Sequence, residues 1–246
     1  GGMLSVIDNI DTLTGFFIIN KKPSGSKDPF ALRRSGFSIV KILMEFELNI
    51  SISNLFNEAL NSYKCSTKNV KLDLIDFIFD KVKFILRKQG VSDDIIDSVL
   101  SLEESPNYTF PILYERVKLI NNMKHNSEFK LFLVNFKRLK NIIKLSKSSD
   151  ISNMKVDLHL FDSSEEEEIY NKHQDLKVNI KKYSKDLNYQ KNLLKEVIDL
   201  QHVINSFFQK VTVNHEDEKI KINRHVLLKK FTNSILKYSN FDLIQD

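Results

Sequence analysis

Apolar residues recur at helical spacing along most of this chain, and the stretch from Val203 to Phe231 carries the pattern at its fullest. Leading into it, Leu187, Leu193, Leu194, Val197, Leu200, Val203, Ile204 and Phe207 mark one stripe. Beyond His215, a second stripe runs through Ile220, Val226, Leu227, Phe231, Ile235 and Leu236. Between the two, Glu216, Asp217 and Glu218 suit a helix N-terminus, where free backbone N–H groups favour negative charge. The pattern predicts a helical pair with a basic edge of Lys219, Lys221, Arg224, Lys229 and Lys230.

The same periodicity, read from the N-terminus, predicts helices along the rest of the chain. Leu4 to Ile19 is a short segment in which Gly15 allows a neighbour to approach closely. Pro23 to Ser26 marks a turn, after which Asp28 is expected to cap a helix with Pro29 at its first position, running to about Leu48. Ser51 or Ser53 caps a helix reaching Tyr63, and Cys65 to Asn69 is a polar break. A strong helix through Leu74, Ile78, Val82 and Leu86 stops at Gly90, and a short one from Asp93 to Leu100 follows. Pro111 opens a further helix. The segment from Ser127 to Ser146 buries Phe129, Phe132, Phe136 and Leu139 and turns Lys130, Lys137, Arg138, Lys140 and Lys144 outward. Lys147 to Leu160 reads as a linker with a brief strand near Val156–Leu160. Ser163 and Ser164 precede a helix opened by Glu165–Glu168, a run expected to be a solvated helix start, and that helix breaks near Ser184.

Composition changes this picture little. Hydrophobic residues make up 41% of the 246, and eighteen Phe against six Gly and four Pro point to long regular elements. A lone cysteine, Cys65, rules out an intramolecular disulfide and fits a reducing compartment. With no 18-residue apolar run and no signal peptide, a cytoplasmic protein without a membrane partner is the expectation. Gly1 and Gly2 before Met3 read as an expression scar or the edge of a cut-down chain.

Charge changes it more. The net charge of +5 is concentrated between Glu115 and Lys147, where nine basic residues face two acidic ones. Residues 151–246 sum to zero, with fifteen of each sign. A local basic field of this kind can steer a polyanion. Aromatics that stack on bases are the natural complement: Phe207 and Phe208 are adjacent, so one can face the core while the other nears the surface. Tyr170, Tyr183, Tyr189 and Tyr238 are further candidates. Core packing remains the stronger reading for any single Phe.

Bond-making chemistry finds no support. The six histidines form neither HExxH nor a Cys/His metal pattern, and no GxxxxGK[ST], GxGxxG or nucleophile-elbow motif is present.

Three runs of residues carry a family resemblance. Ile10-Asp11-Thr12-Leu13-Thr14-Gly15-Phe16-Phe17 is followed by Pro23-Ser24-Gly25-Ser26-Lys27-Asp28-Pro29-Phe30-Ala31-Leu32-Arg33-Arg34. Lys137-Arg138 with Asn141-Ile142 is the second. Phe207-Phe208-Gln209-Lys210-Val211-Thr212-Val213, with Glu216-Asp217-Glu218, Asn223-Arg224 and Leu227-Leu228, is the third. In this order they resemble the beta subunit of bacterial two-subunit glycyl-tRNA synthetase and its C-terminal anticodon-binding domain, akin to the helical domain of arginyl-tRNA synthetases. The sequence departs from the family at Gln209 (usually Asp), Lys221 (usually Arg) and His225 (commonly Leu). Lys221 keeps the charge but not a bidentate fork.

The resemblance implies an all-α fragment of a longer subunit: residues 3–20 a remnant of an HD-like domain, 21–150 a helical body, 151–246 an anticodon-binding helical bundle. It implies that the chain grips glycine tRNA, partners the alpha subunit, holds no cofactor of its own and is inactive alone, while the parent complex uses ATP to join glycine to tRNA. The tRNA-binding candidates are Lys130, Lys137, Arg138, Lys140, Lys144, Phe208, Lys210, Lys221, Arg224 and Lys229, with Asn223 structural. Two other readings stand beside it. One is a helical scaffold that binds the alpha subunit without touching tRNA. The other is a metal-dependent hydrolase, against which the missing His–Asp dyad argues.

Overall fold

The computed structural model describes residues 2–24, 27–64, 68–145 and 154–245, and these contain ten α-helices and no β-strand. Cys65, Gly25 and Ser26 of the expected turn, and the first half of the expected linker fall outside them. No helix among the described residues is long and apolar enough to cross a membrane. The chain forms two compact units: Gly1–Ile96 with Glu103–Val117, and Asp97–Leu102 with Lys118–Asp246.

The first unit is built from α1 (Gly2–Ile18), α2 (Leu32–Glu45), α3 (Ile52–Ser62) and α4 (Lys68–Lys88), and it shares α5 (Asp93–Leu100) and α6 (Phe110–Met123) with the second. α1 packs on α2, α3 and α4, around a core that includes Leu13, Val40, Leu43, Phe56, Leu74 and Ile78. Gly15 lies against Tyr63, whose hydroxyl is 3.0 Å from where a Cβ on residue 15 would sit, a tight approach that the exposed tyrosine would have to yield slightly to relieve. Gly90 ends α4 with φ +84, a left-handed conformation that side chains disfavour.

One start differs from expectation. The Asp28 carboxylate does accept the Leu32 and Arg33 N–H groups, at 2.8 and 3.0 Å, but α2 begins only at Leu32. Pro29 lies in the preceding turn, and Ala31 takes a left-handed φ of 53 to join the two. Ser51 caps α3 as expected, accepting from Asn54 N–H at 3.2 Å.

The second unit is a bundle of α7 (Ser127–Leu145), α8 (Ser164–Tyr183), α9 (Gln190–Lys210) and α10 (Glu218–Leu236). α9 packs on α7 and α8, and α10 closes the bundle against both of these. Asn126 caps α7 and Asp217 caps α10, accepting Lys219 N–H at 2.8 Å, so the acidic turn does what its sequence suggests. The strand expected near residues 156–160 is a 3₁₀ turn, Leu158–Leu160, instead. Its approach is fixed by Asn223, which exchanges two hydrogen bonds with the Asp157 backbone (2.8 and 2.9 Å), so no sheet partner is required.

A buried histidine gives this unit a pH dependence. His173 on α8 is hydrogen-bonded to Ser234 on α10 (2.9 Å), and its pKa falls from 6.5 to about 4, first through burial and then through Lys177, Lys230 and Lys237. The folded state therefore keeps the neutral imidazole. Its full contribution is present above 6.5 and is lost as pH falls from 6.5 to about 4, because the unfolded chain binds the proton first. The loss amounts to about 3 kcal/mol. Urea unfolding at pH 7.5 and pH 4.5 should show it, and His173→Gln should flatten the difference.

Candidate nucleic-acid interface

The basic candidates separate into two places within the second unit. On α7, Lys130, Arg138 and Lys144 are exposed, and Lys137 and Lys140 are half-buried. Steps of seven residues put Lys130, Lys137 and Lys144 in one stripe, because seven residues are nearly two full helical turns. The outward face is not purely charged: Leu131 and Val134 are exposed beside the lysines, at 49% and 57%. Lys144 lies 3.5 Å from Asp242, a loose exposed pair of little energetic weight.

Arg138 stands about 100° round the helix from this stripe. Its guanidinium lies 4.1 Å from the centroid of the Phe208 ring, which is half-buried near the end of α9 and edge-on to the buried Phe207. The adjacent phenylalanines thus divide as their order suggests, one inward and one at the surface. Arg138 and Phe208 form a planar cation-on-ring surface of the kind that unpaired bases stack on. They are two sequence candidates that the fold brings into direct contact.

The second place is the acidic start of α8, where Arg224 and Lys210 are occupied. Arg224, expected on the basic edge of α10, is interior, with its side chain 3% exposed. Its Nε donates to Glu166 Oε1 (3.0 Å), Nη1 to the Thr212 carbonyl (2.8 Å), and Nη2 to Glu166 Oε2 (3.1 Å) and to Asp162. The reason is helix burial: Asn223 to Leu228 are buried consecutively, so mid-α10 has no free rim. Arg224 is pushed further up; burial alone opposes its charge, and the carboxylates of Glu166 and Asp162 outweigh that. Asp162 is held below the usual carboxylate range, first by hydrogen bonding with Glu166 and then by Arg224.

Lys210 pairs with Glu165 (2.5 Å), and Lys221 with Glu218 (3.1 Å) one turn earlier on its own helix. Lys229 is half-buried. The carboxylate run expected to be a solvated helix start is therefore only half so. Glu167 and Glu168 are exposed, whereas Glu165 and Glu166 are buried and ion-paired. His225 is buried, and burial, ahead of Lys221, pushes it toward the neutral form. An imidazole kept uncharged fills the space that the resemblance gives to an apolar residue.

Sequence reasoning missed one basic cluster. Summed over 151–246 the charge vanishes, yet residues 172–195 hold seven lysines against two aspartates. The balancing acids lie mostly at the two acidic helix starts. A shorter window would have shown it. No group of three or more His, Cys, Asp or Glu among the described residues is placed to hold a metal ion.

Comparison with known proteins bears directly on this unit. Residues 132–240 match the model of the DALR anticodon binding domain, and residues 1–101 match that of the glycyl-tRNA synthetase beta subunit. Similar proteins include the glycine–tRNA ligase beta subunits of Colwellia psychrerythraea (30% identical, over 100% of this chain) and of Clostridioides difficile (30%, over 99%). That of Halothermothrix orenii is also 30% identical, over 99% of this chain. The chain spans 35% of the length of each of these three relatives.

Proposed function

This chain belongs to the glycyl-tRNA synthetase beta-subunit family, and on that premise we propose that it is the part of the subunit that grips glycine tRNA. The observation that carries this is the α7 face, with Arg138 laid on Phe208, inside the segment matching an anticodon-binding domain. Lys130, Lys137, Lys140 and Lys144 neutralise phosphates along the tRNA backbone. Arg138 and Phe208 present a flat surface to splayed loop bases. Arg224 braces the fold instead of touching RNA, and Lys210 and Lys221 contribute weakly because their ammonium groups already face carboxylates.

In this proposal glycine activation with ATP takes place on the alpha subunit, in the cytoplasm, and this chain holds the tRNA for it. The triple variant Lys130→Ala/Arg138→Ala/Lys144→Ala tests it. Binding to glycine tRNA should weaken about ten- to a hundredfold at low salt, and the slope of log affinity against log salt should fall by about two to three. An unchanged slope in a folded variant rejects the α7 face as the phosphate contact.

A scaffold role that binds only the alpha subunit is favoured by one observation in the first unit. α1 exposes Leu4 and Ile7 (74% and 61%) beside an apolar groove of about 360 Å³ lined by Ile7, Ile10, Ile50 and Leu55. Salt-independent capture of the alpha subunit without tRNA affinity would make that the better reading.

A further inference from the structure

Two lysines of the 172–195 cluster, Lys172 and Lys195, line a groove. It is a cleft of about 620 Å³ along α8 and α9, lined among others by Asn179, Tyr189, Asn192, Lys195, Glu196 and Asp199. At its turn end Tyr183 and Tyr189 stack face to face, with centroids 3.9 Å apart and planes within 17°. Lys182 Nζ lies 4.7 Å from the centroid of Tyr183. With Tyr189 against one face of Tyr183, the lysine takes the other. Tyr189 lines the groove, so the part of its ring that reaches it is a part that Tyr183 leaves uncovered.

The ring pair is not what holds this turn together. Gln190, fully buried, reaches the carbonyls of Tyr183, Ser184 and Asp186 through Nε2 at 3.2, 3.2 and 2.7 Å. The Gln190 carbonyl in turn accepts from the buried Tyr238 hydroxyl (3.2 Å), and Asp186 caps the Asn188 N–H (3.0 Å). Tyr189, half-buried at a turn already fixed by a buried amide, is available for a ligand.

We propose that this groove takes one unpaired nucleobase, stacked on the free side of Tyr189, as a contact separate from the α7 face; this rests on the reading of the chain as an RNA-binding unit. The ligand class follows from the lining. A π-face at the turn end suits any base. The walls carry three carboxylates, Asp175, Glu196 and Asp199, against the two ammonium groups of Lys172 and Lys195, and the Asn179 amide, whose nitrogen is already turned to both Glu196 oxygens at 3.1 Å, leaving its oxygen. Acceptors select bases that carry an amino group on their edge over uracil, which offers only a ring N–H between two carbonyls. Seven lysines against two aspartates in this segment offset the wall carboxylates for a phosphate backbone passing outside.

Fluorescein-labelled cytidine and uridine hexamers provide the test, since the two bases share a ring size and differ in an amino group against a carbonyl. The whole chain should bind the cytidine hexamer more tightly. Tyr189→Ala should weaken that binding about five- to a hundredfold with the salt slope unchanged, and Tyr189→Phe should retain it. Glu196→Ala, an independent change on the groove wall, should bring the two hexamers to similar affinity. Wild-type affinity for the cytidine hexamer in Tyr189→Ala overturns the proposal, as does a Glu196→Ala variant that keeps the preference. The two readings fail separately. Loss of hexamer discrimination with intact, salt-steep tRNA binding removes the groove alone, whereas hexamer binding without tRNA binding removes the tRNA reading and leaves the groove.

Discussion

Arg224→Ala should destabilise the second unit by about 3–5 kcal/mol, the range seen when one partner of a buried ion pair is removed. Glu166 is fully buried and receives two of the four hydrogen bonds that Arg224 donates. Without the guanidinium its carboxylate has lost its charge partner in a low-dielectric site. The Thr212 carbonyl and Asp162 also lose their donor, which loosens the loop between α9 and α10 and the entry to α8. Arg224→Lys should rescue little, because an ammonium cannot fill a planar fork with partners on three sides. Replacing both charges, as in Arg224→Met/Glu166→Leu, should recover much of the loss, because two apolar side chains leave no buried charge unpaired. Urea denaturation of the three variants decides it: a loss below about 1 kcal/mol for Arg224→Ala would show that solvent reaches the cluster. The consequence for function is that weakened tRNA binding in an Arg224 variant reports on folding and not on a lost phosphate contact.

Phe241→Ala should cost a similar about 3–5 kcal/mol, by a different mechanism. Phe241 is fully buried in the segment after α10, with its ring among Phe132 (5.0 Å), Phe136 (5.9 Å), Phe129 (6.1 Å) and Tyr238 (6.4 Å). Three of these contacts are edge-on, the geometry in which ring quadrupoles attract. Truncation removes that apolar surface and leaves a cavity that rigid rings fill poorly. Leu243, two residues on and 39% exposed, is the control and should change stability by less than about 0.5 kcal/mol when made alanine. Thermal melts of the two variants should differ clearly; equal melts would mean that the cluster repacks around the gap.

These two residues also mark where the sequence stopped being readable. The helices were legible because apolar residues recur every three or four positions and caps stand at their starts: Ser51, Ser163 and Asp217 all accept the expected backbone N–H groups. Phe241 and Ile244 are just as buried, but they lie in a 3₁₀ turn and its exit, where no period marks them. Arg224 was read as rim because periodicity assigns one inward stripe to a helix, while mid-α10 is buried on all sides. Its carboxylate partners lie about sixty residues earlier in sequence, a pairing that spacing along one helix does not encode.

The candidate interface was legible in part for the same reason. Lys130, Arg138 and Lys144 sit on the polar side of a strongly periodic helix and are exposed as that pattern requires. The meeting of Arg138 with Phe208, seventy residues away, depends on how α7 packs against α9. The groove beside Tyr189 likewise depends on how α8 packs against α9, since its residues come from those two helices and the turn between them. Local sequence marks such residues as able to bind; packing decides which of them meet.

The most direct measurement is the affinity of the chain for glycine tRNA at two salt concentrations, beside the same tRNA with its anticodon bases changed. The proposed function predicts binding that weakens steeply with salt and favours the native anticodon. Absence of binding to either tRNA, or binding indifferent to both salt and anticodon, would contradict it.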